Sequence, residues 1–151
     1  MSCYLTFCGI PVKEKTDEEK GFCEEKELDT ERKPISIVRF SRSDDVFRYF
    51  NDNCSIPLSC NEIIYTDIYE SDIDAVVKDI NNDIKETEKR LSTYEKYATS
   101  NHEYIEEIIQ MKDYLEDLYK VLHDVEFIGK IVTEAGYKYS GGFGKIVAKM
   151  G

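Results

Sequence analysis

The chain has 151 residues, of which 41% are hydrophobic and 34% charged, and its 31 acidic side chains outnumber the 20 basic ones to give a net charge of −11. This length fits a single domain over residues 1–151, and the apolar share is large enough to form a core, so wholesale disorder is excluded. The acidic balance excludes a general binder of nucleic acid or of anionic membranes, because both activities need an excess of Lys and Arg. No apolar run reaches about 18 residues, so no membrane span is expected.

The N-terminal residues lack the pattern of a signal peptide, because no basic residue precedes the apolar stretch 3–12. The five cysteines are odd in number and unevenly spaced, which fits reduced thiols better than a secreted disulfide framework. We therefore expect a cytoplasmic protein. Lys outnumbers Arg by 15 to 5. This bias often accompanies AT-rich genomes and fits a bacteriophage or a low-GC bacterium. A phage protein is expected in the host cytoplasm or the virion.

The first predicted element is a strand over residues 2–8, where Cys, Tyr, Thr and Phe fit a pleated surface. Gly9 and Pro11 are expected to end this strand. In residues 13–33, 15 of the 21 positions are charged. Such a segment has little apolar surface to bury, so it is predicted to be a solvated loop or a charged hairpin extension.

A second strand and a short helix are predicted next. The apolar residues within 35–40 indicate a strand, and we expect it at the centre of the sheet because both of its faces are mostly apolar. Ser43 is the predicted N-cap of the helix. The apolar stripe of this helix consists of Val46, Phe47 and Phe50.

The strongest pattern is a pair of heptad repeats. In the first helix, apolar or tolerated residues recur in steps of four and three at Ile73, Val77, Ile80, Ile84, Thr87, Leu91, Tyr94 and Ala98. The second helix repeats these steps at Tyr104, Ile108, Met111, Leu115, Leu118, Leu122 and Val125. Two such helices joined by a short turn can meet only as an antiparallel pair, so we predict a coiled-coil hairpin about 40 Å long.

Capping and packing signals mark the two ends of this hairpin. Ser71 and Asp74 resemble a capping box at the start of the first helix, Asn101 is the predicted cap of the second, and Gly136 is its predicted C-terminal glycine. Extra apolar residues widen the stripe where the first helix begins and the second ends. These residues are Val76, Val121, Phe127, Ile128, Ile131 and Val132. The base of the hairpin is therefore expected to be buried against the sheet.

The remaining strands are predicted on either side of the hairpin. Residues 63–68 form a third strand, and the tail can pair as a hairpin of residues 137–139 with residues 143–148, returning Ile146 and Val147 to the sheet. The predicted class is α+β, with a small mixed β-sheet, one short helix and a long projecting antiparallel helical hairpin. Residues 1–70 and 137–151 form the sheet part, and residues 71–136 form the hairpin.

No group of residues predicts catalysis, a cofactor or a metal. His102 and His123 lie about 30 Å apart on one helix and cannot share a site. The cysteine spacing is longer than that of a zinc knuckle. The Gly-rich stretch 141–145 lacks the Ser or Thr that a phosphate loop carries after its Lys, so a simple turn is favoured. We therefore expect a non-enzymatic protein.

The acidic surface of the hairpin is the candidate site. Residues 71–136 contain 16 acidic and 8 basic residues, so most of the net charge lies there. The candidate interaction residues are Tyr97, Glu103, Glu106, Glu107, Asp113, Glu116 and Asp117. One interpretation is a solvated face that keeps the protein soluble, and the other is a docking face for a basic partner. Tyr97 is included because tyrosine is frequent in contact surfaces.

These observations predict a protein–protein interaction or assembly protein, such as a phage structural or accessory protein. Its expected partner is a protein with a basic surface, and self-association through the hairpin is also expected. The first alternative is an acidic inhibitor that mimics nucleic acid and blocks a basic host enzyme. The second alternative is a small enzyme or ligand-binding protein that uses the sheet face near residues 54–60.

Overall fold

The computed structural model describes residues 3–13, 28–59, 61–98, 104–135 and 143–151. The elements in chain order are β1 (Tyr4–Pro11), β2 (Ile35–Ser41), α1 (Asp45–Asn53), β3 (Thr66–Asp67), α2 (Glu70–Ala98), α3 (Ile105–Glu134) and β4 (Phe143–Met150). The four strands form one sheet, and the long helices α2 and α3 pack together as a hairpin. The α+β prediction is confirmed. Among the described helices, none combines the length and apolar composition needed to cross a membrane.

Several predicted features lie outside the described residues. They are the greater part of the charged segment 13–33, the caps Asn101 and Gly136, residues 137–142 of the tail hairpin, and the candidate residue Glu103. The charged segment is described only at its ends, where Val12 and Leu28 form an isolated antiparallel bridge and are both buried.

The strand order is β2-β1-β4-β3, and every ladder between named strands is antiparallel. Within the described ranges, the one parallel contact is the bridge between Leu58 and Met150. The predicted central position of the second strand was wrong, because among the described strands β2 pairs with β1 alone and lies at the edge. Its residue Ile35 is 42% exposed. β4 returns from the far end of the chain and pairs with the other side of β1, so β1 and β4 occupy the centre of the sheet.

The first strand is longer than predicted. It extends through Gly9 and Pro11, which were expected to end it. Gly9 remains paired with Ile35 on one side and Ile146 on the other. A Cβ atom at Gly9 would overlap the ring of Phe143. The glycine therefore permits a ring to lie against the backbone and does not terminate the strand.

The third strand is shorter than predicted. Residues Thr66 and Asp67 pair with β4, whereas Ile63 is 65% exposed. In a longer strand, residue 64 would pair with Met150 of β4. That part of β4 is already occupied, because the backbone N–H of Ser59 donates to the carbonyl oxygen of Met150 at 3.4 Å. The predicted strand over residues 63–68 is therefore restricted to its C-terminal part, while Ile146 and Val147 return to the sheet as expected.

The short helix α1 has the predicted stripe but a different cap. Asp44 is the N-cap, and its Oδ1 accepts from the backbone N–H of Val46 at 2.9 Å. Ser43, the predicted cap, instead places its hydroxyl 3.0 Å from that of Ser41. Both residue types can cap a helix. The helix begins after Asp44, and this start buries the apolar face of α1. The buried residues of that face are Val46, Phe47, Tyr49 and Phe50.

The heptad seams are confirmed. Every seam residue of α2 and α3 is buried or half-buried, and the rings of Tyr94 and Tyr104 close the far end with centroids 5.4 Å apart. The predicted capping box was wrong, since α2 begins one residue before Ser71. The carboxylate that caps it is Asp72, whose Oδ2 accepts from the backbone N–H of Tyr69 at 2.9 Å.

The base of the hairpin joins the core of the sheet part. The core cluster combines residues of the inner sheet face, such as Leu5 and Phe7, with Val76 of α2 and Ile128 of α3. The wider apolar base is thus confirmed except at Phe127, which is 52% exposed. One residue corresponds to about 100° of helix rotation, so Phe127 cannot share the inward direction of its neighbour Ile128.

Candidate functional site

The outer section of the hairpin, residues 88–98 and 104–117, presents the predicted acidic surface. No residue of this section is buried, whereas Thr87 and Leu118 at its border are. The five described acidic candidates on α3 are all exposed. Within the described part of the chain, they make no ion pair or side-chain hydrogen bond. They are Glu106, Glu107, Asp113, Glu116 and Asp117.

Helical geometry separates these carboxylates into a stripe and two outliers. Glu106, Asp113 and Asp117 lie within about 40° of one another around α3, and we call them the acidic stripe. Glu107 and Glu116 point roughly 80–100° to either side of Glu106. The candidate residues therefore do not form one patch, and three of them define a line along the helix.

Tyr97 is 64% exposed in the last turn of α2. Tyr94 and Tyr104 belong to the seam, which leaves Tyr97 as the exposed member of the tip tyrosines. It lies on the side of α2 that also carries Asp83, a residue bound to α1 nearer the base. Tyr97 is thus available for contact in the last turn of α2.

Polar contacts fix the hairpin against α1. The hydroxyl of Tyr49 donates to Asp83 Oδ2 at 2.5 Å, and Asn53 Nδ2 donates to Asp79 Oδ2 at 2.8 Å. Burial raises the pKa of the Tyr49 hydroxyl, and its hydrogen bond to Asp83 raises it further. Two carboxylates of α2 are therefore used to orient the hairpin, in contrast to the unpaired carboxylates of the acidic stripe.

The shallow clefts in the described part of the chain include three with volumes of about 190, 230 and 240 Å³. Each is smaller than the roughly 300–1,000 Å³ of an ordinary small-molecule site. Within the described residues, no group of three or more His, Cys, Asp or Glu could hold a metal ion. His123 lies exposed on α3, and His102 is outside the described residues.

The described cysteines are free thiols at Cys3, Cys8 and Cys54. Burial raises the pKa of Cys8. Burial, with a contribution from the nearby Asp72 carboxylate, raises the pKa of Cys54 to about 11. Because the thiolate is the reactive form, Cys54 remains a protonated and weakly nucleophilic group near neutral pH.

A basic feature on the sheet was missed by the sequence reasoning. Arg39 of β2 and Lys149 of β4 both pair with Thr6 of β1, so the three side chains share one face of the sheet. The Arg39 guanidinium lies 4.5 Å from the ring centroid of Tyr4, and Lys149 Nζ lies 5.7 Å from that of Tyr65. The alternation of these cations with apolar residues in both strands was the available signal.

Asp67 is a carboxylate on the same face of the sheet, and its negative charge is paired locally. Its Oδ2 lies 2.7 Å from Lys145 Nζ and accepts a hydrogen bond from the Tyr69 hydroxyl at 3.1 Å. This carboxylate is therefore neutralised by a neighbouring lysine and does not compete for Arg39 or Lys149.

Comparison of the chain with protein-family models, with curated proteins and with solved structures finds no match.

Proposed function

We propose that this is a non-enzymatic protein–protein interaction or assembly protein whose contact device is the outer section of the α2–α3 hairpin. The observation that supports this function is the acidic stripe, in which Glu106, Asp113 and Asp117 are exposed and have no cationic partner among the described residues. The hairpin base is occupied by α1 and the sheet core, so the outer section is the part left for a partner.

The partner that fits this stripe is a protein surface with several Lys or Arg residues. Carboxylates aligned along one side of a helix reinforce one another's field, and a complementary basic surface relieves that repulsion. An exposed ion pair contributes only about 0.2–1 kcal/mol, so binding needs several pairs at once. Association should therefore weaken strongly as the salt concentration increases.

The experiment compares two variants with the same change in net charge. The stripe variant carries Glu106→Lys, Asp113→Lys and Asp117→Lys, and the control variant carries Asp52→Lys, Glu62→Lys and Asp74→Lys at exposed positions elsewhere. Tagged proteins are used to capture partners from a lysate of the source cells, which are identified by mass spectrometry. Wild type and control should capture the same salt-sensitive partner, and the stripe variant should lose it. Equal capture by the stripe variant contradicts the proposal.

A second candidate function is inhibition of a basic nucleic-acid enzyme by mimicry of its substrate's charge. The aligned carboxylates of the stripe favour it, because regular negative charge is what such an enzyme binds. Added duplex DNA distinguishes the two functions: it should displace the captured partner if the protein occupies a nucleic-acid groove, and it should have no effect on an assembly contact.

A further inference from the structure

We propose that the basic surface bound by the acidic stripe is the outer sheet face of a second copy of this chain, centred on Arg39, Thr6 and Lys149. This inference rests on the proposed function, because it names the partner of the same hairpin surface. The two surfaces lie on different parts of the molecule, so the contact is of the head-to-tail kind.

The register of the sheet positions the two cations. Thr6 is paired with Arg39 on one side and with Lys149 on the other, which places the cations two strand spacings apart. Neighbouring strands are separated by about 4.8 Å, so the two residues are roughly 10 Å apart across the sheet. Thr6 is only 7% exposed and forms an uncharged floor between them.

The described surroundings of Arg39 and Lys149 leave both cations available. Each lies over a tyrosine ring, a contact that orients the side chain without neutralising it. No carboxylate among the described residues is within ion-pair distance of either one, and the nearby Asp67 is engaged by Lys145. The sequence from Arg32 to Arg42 contains four basic residues and no acidic one, which adds positive potential along the β2 edge.

The acidic stripe matches this face in charge and in spacing. Glu106 and Asp113 are separated by seven residues, about 10.5 Å along α3, and they point in nearly the same direction. A helix laid across the strands can therefore bring one carboxylate to Arg39 and the other to Lys149. Ile109 lies between the two carboxylates on the helix surface and is 53% exposed, which provides apolar contact at the centre.

The geometry has a consequence for the assembly. Because the two contacting surfaces differ, a bound pair of copies leaves one stripe and one sheet face free, and association continues into chains or closes into a ring. A symmetric dimer is not the expected product. The average mass should rise with protein concentration and fall with salt.

The test is a charge exchange followed by sedimentation velocity at low and high salt. The face variant is Arg39→Glu with Lys149→Glu, and the stripe pair variant is Glu106→Lys with Asp113→Lys. Each alone presents like charges on both surfaces and should associate on the order of tenfold more weakly than wild type. Mixed together, the two variants regain opposite charges at both contacts, so the mixture should associate again.

Matched controls have the same charge changes at other exposed positions: Lys85→Glu with Lys130→Glu, and Asp52→Lys with Glu62→Lys. Both controls should associate like wild type, and thermal melting should show that all variants fold. The inference is overturned by a wild type that stays monomeric, by a face or stripe pair variant that associates normally, or by a mixture that does not recover.

None of these outcomes decides the proposed function, which is judged by partner capture with the stripe variant. If the stripe is needed for capture but the sheet face is not needed for association, the hairpin has a different basic partner. If capture does not depend on the stripe, the proposed function itself fails.

Discussion

The two ends of the α2–α3 hairpin differ in what stabilises them. At the base, Ile80 and Leu118 are fully buried in a core shared with α1 and the sheet, and hydrogen bonds from Tyr49 and Asn53 fix α2. In the outer section, the seam is half-buried and each helix has mainly the other to pack against. The same heptad repeat therefore supports a rigid anchor at one end and an accessible surface at the other.

The largest expected effect is truncation of the anchor. Leu118→Ala removes a side chain that is 0% exposed and should lower the free energy of unfolding by about 2–5 kcal/mol. Leu91→Ala makes the same chemical change in the outer section. Because Leu91 is only half-buried, this substitution should lower the free energy of unfolding by about 1 kcal/mol. Urea denaturation measures both. Equal losses of unfolding free energy at the two positions would contradict the distinction between the base and the outer section.

We expect alkaline pH to have an intermediate effect on the free energy of unfolding, through the Cys54 thiol beside the base of the hairpin. The pKa of Cys54 is about 11 in the folded state against an ordinary value of 9.0. The folded state then retains a proton that the unfolded state has lost, so this group's contribution to stability disappears as pH rises from about 9 to 11. Cys54→Ala should flatten the decline in unfolding free energy over that range.

The comparison that isolates this group is Cys3→Ala, which replaces another free, half-buried thiol at the sheet. It should leave the alkaline decline as steep as in wild type. A decline that is unchanged in Cys54→Ala would show that other groups, such as the buried Tyr49 hydroxyl, account for it.

The smallest effect is expected in the outer section. Lys112 Nζ and Glu95 Oε1 are 3.7 Å apart, and both side chains are about half exposed. Lys112→Ala should change the unfolding free energy by less than about 1 kcal/mol, because exposed ion pairs contribute little. A loss as large as that of Leu118→Ala would mean that the outer section is held by charges and not only by its seam. The measurement is again urea denaturation, repeated at high salt.

The hairpin was the most predictable part because its contacts are local in sequence. Steps of four and three residues define one side of a helix directly, and every described seam residue faces inward. The pattern predicts burial for Phe127 because it is an apolar residue next to the seam, but its helical phase directs it to the surface. At the start of α1, Ser43 and Asp44 are equally good caps, and only packing distinguishes them.

The sheet was less predictable because strand order depends on residues far apart in the chain. β4 returns from the far end of the chain to pair with β1, so the centre of the sheet consists of β1 and β4 and β2 lies at its edge. The acidic surface was found from composition, but the basic face was not, since Arg39 and Lys149 are brought together only by that strand order. Local alternation could have identified each cation as outward-facing, but not their shared position beside Thr6.

The pairing of β1 with β4 also has a consequence for the order of folding. This central ladder joins Leu5 to Met150, so it closes a loop that includes almost the whole described chain. Contacts of such large sequence separation form slowly, whereas α2 and α3 are only a few residues apart in the sequence. The hairpin is therefore expected to form first, with its apolar base exposed until the sheet is complete. Bulky or charged substitutions at that base should slow folding more than similar changes in the outer section.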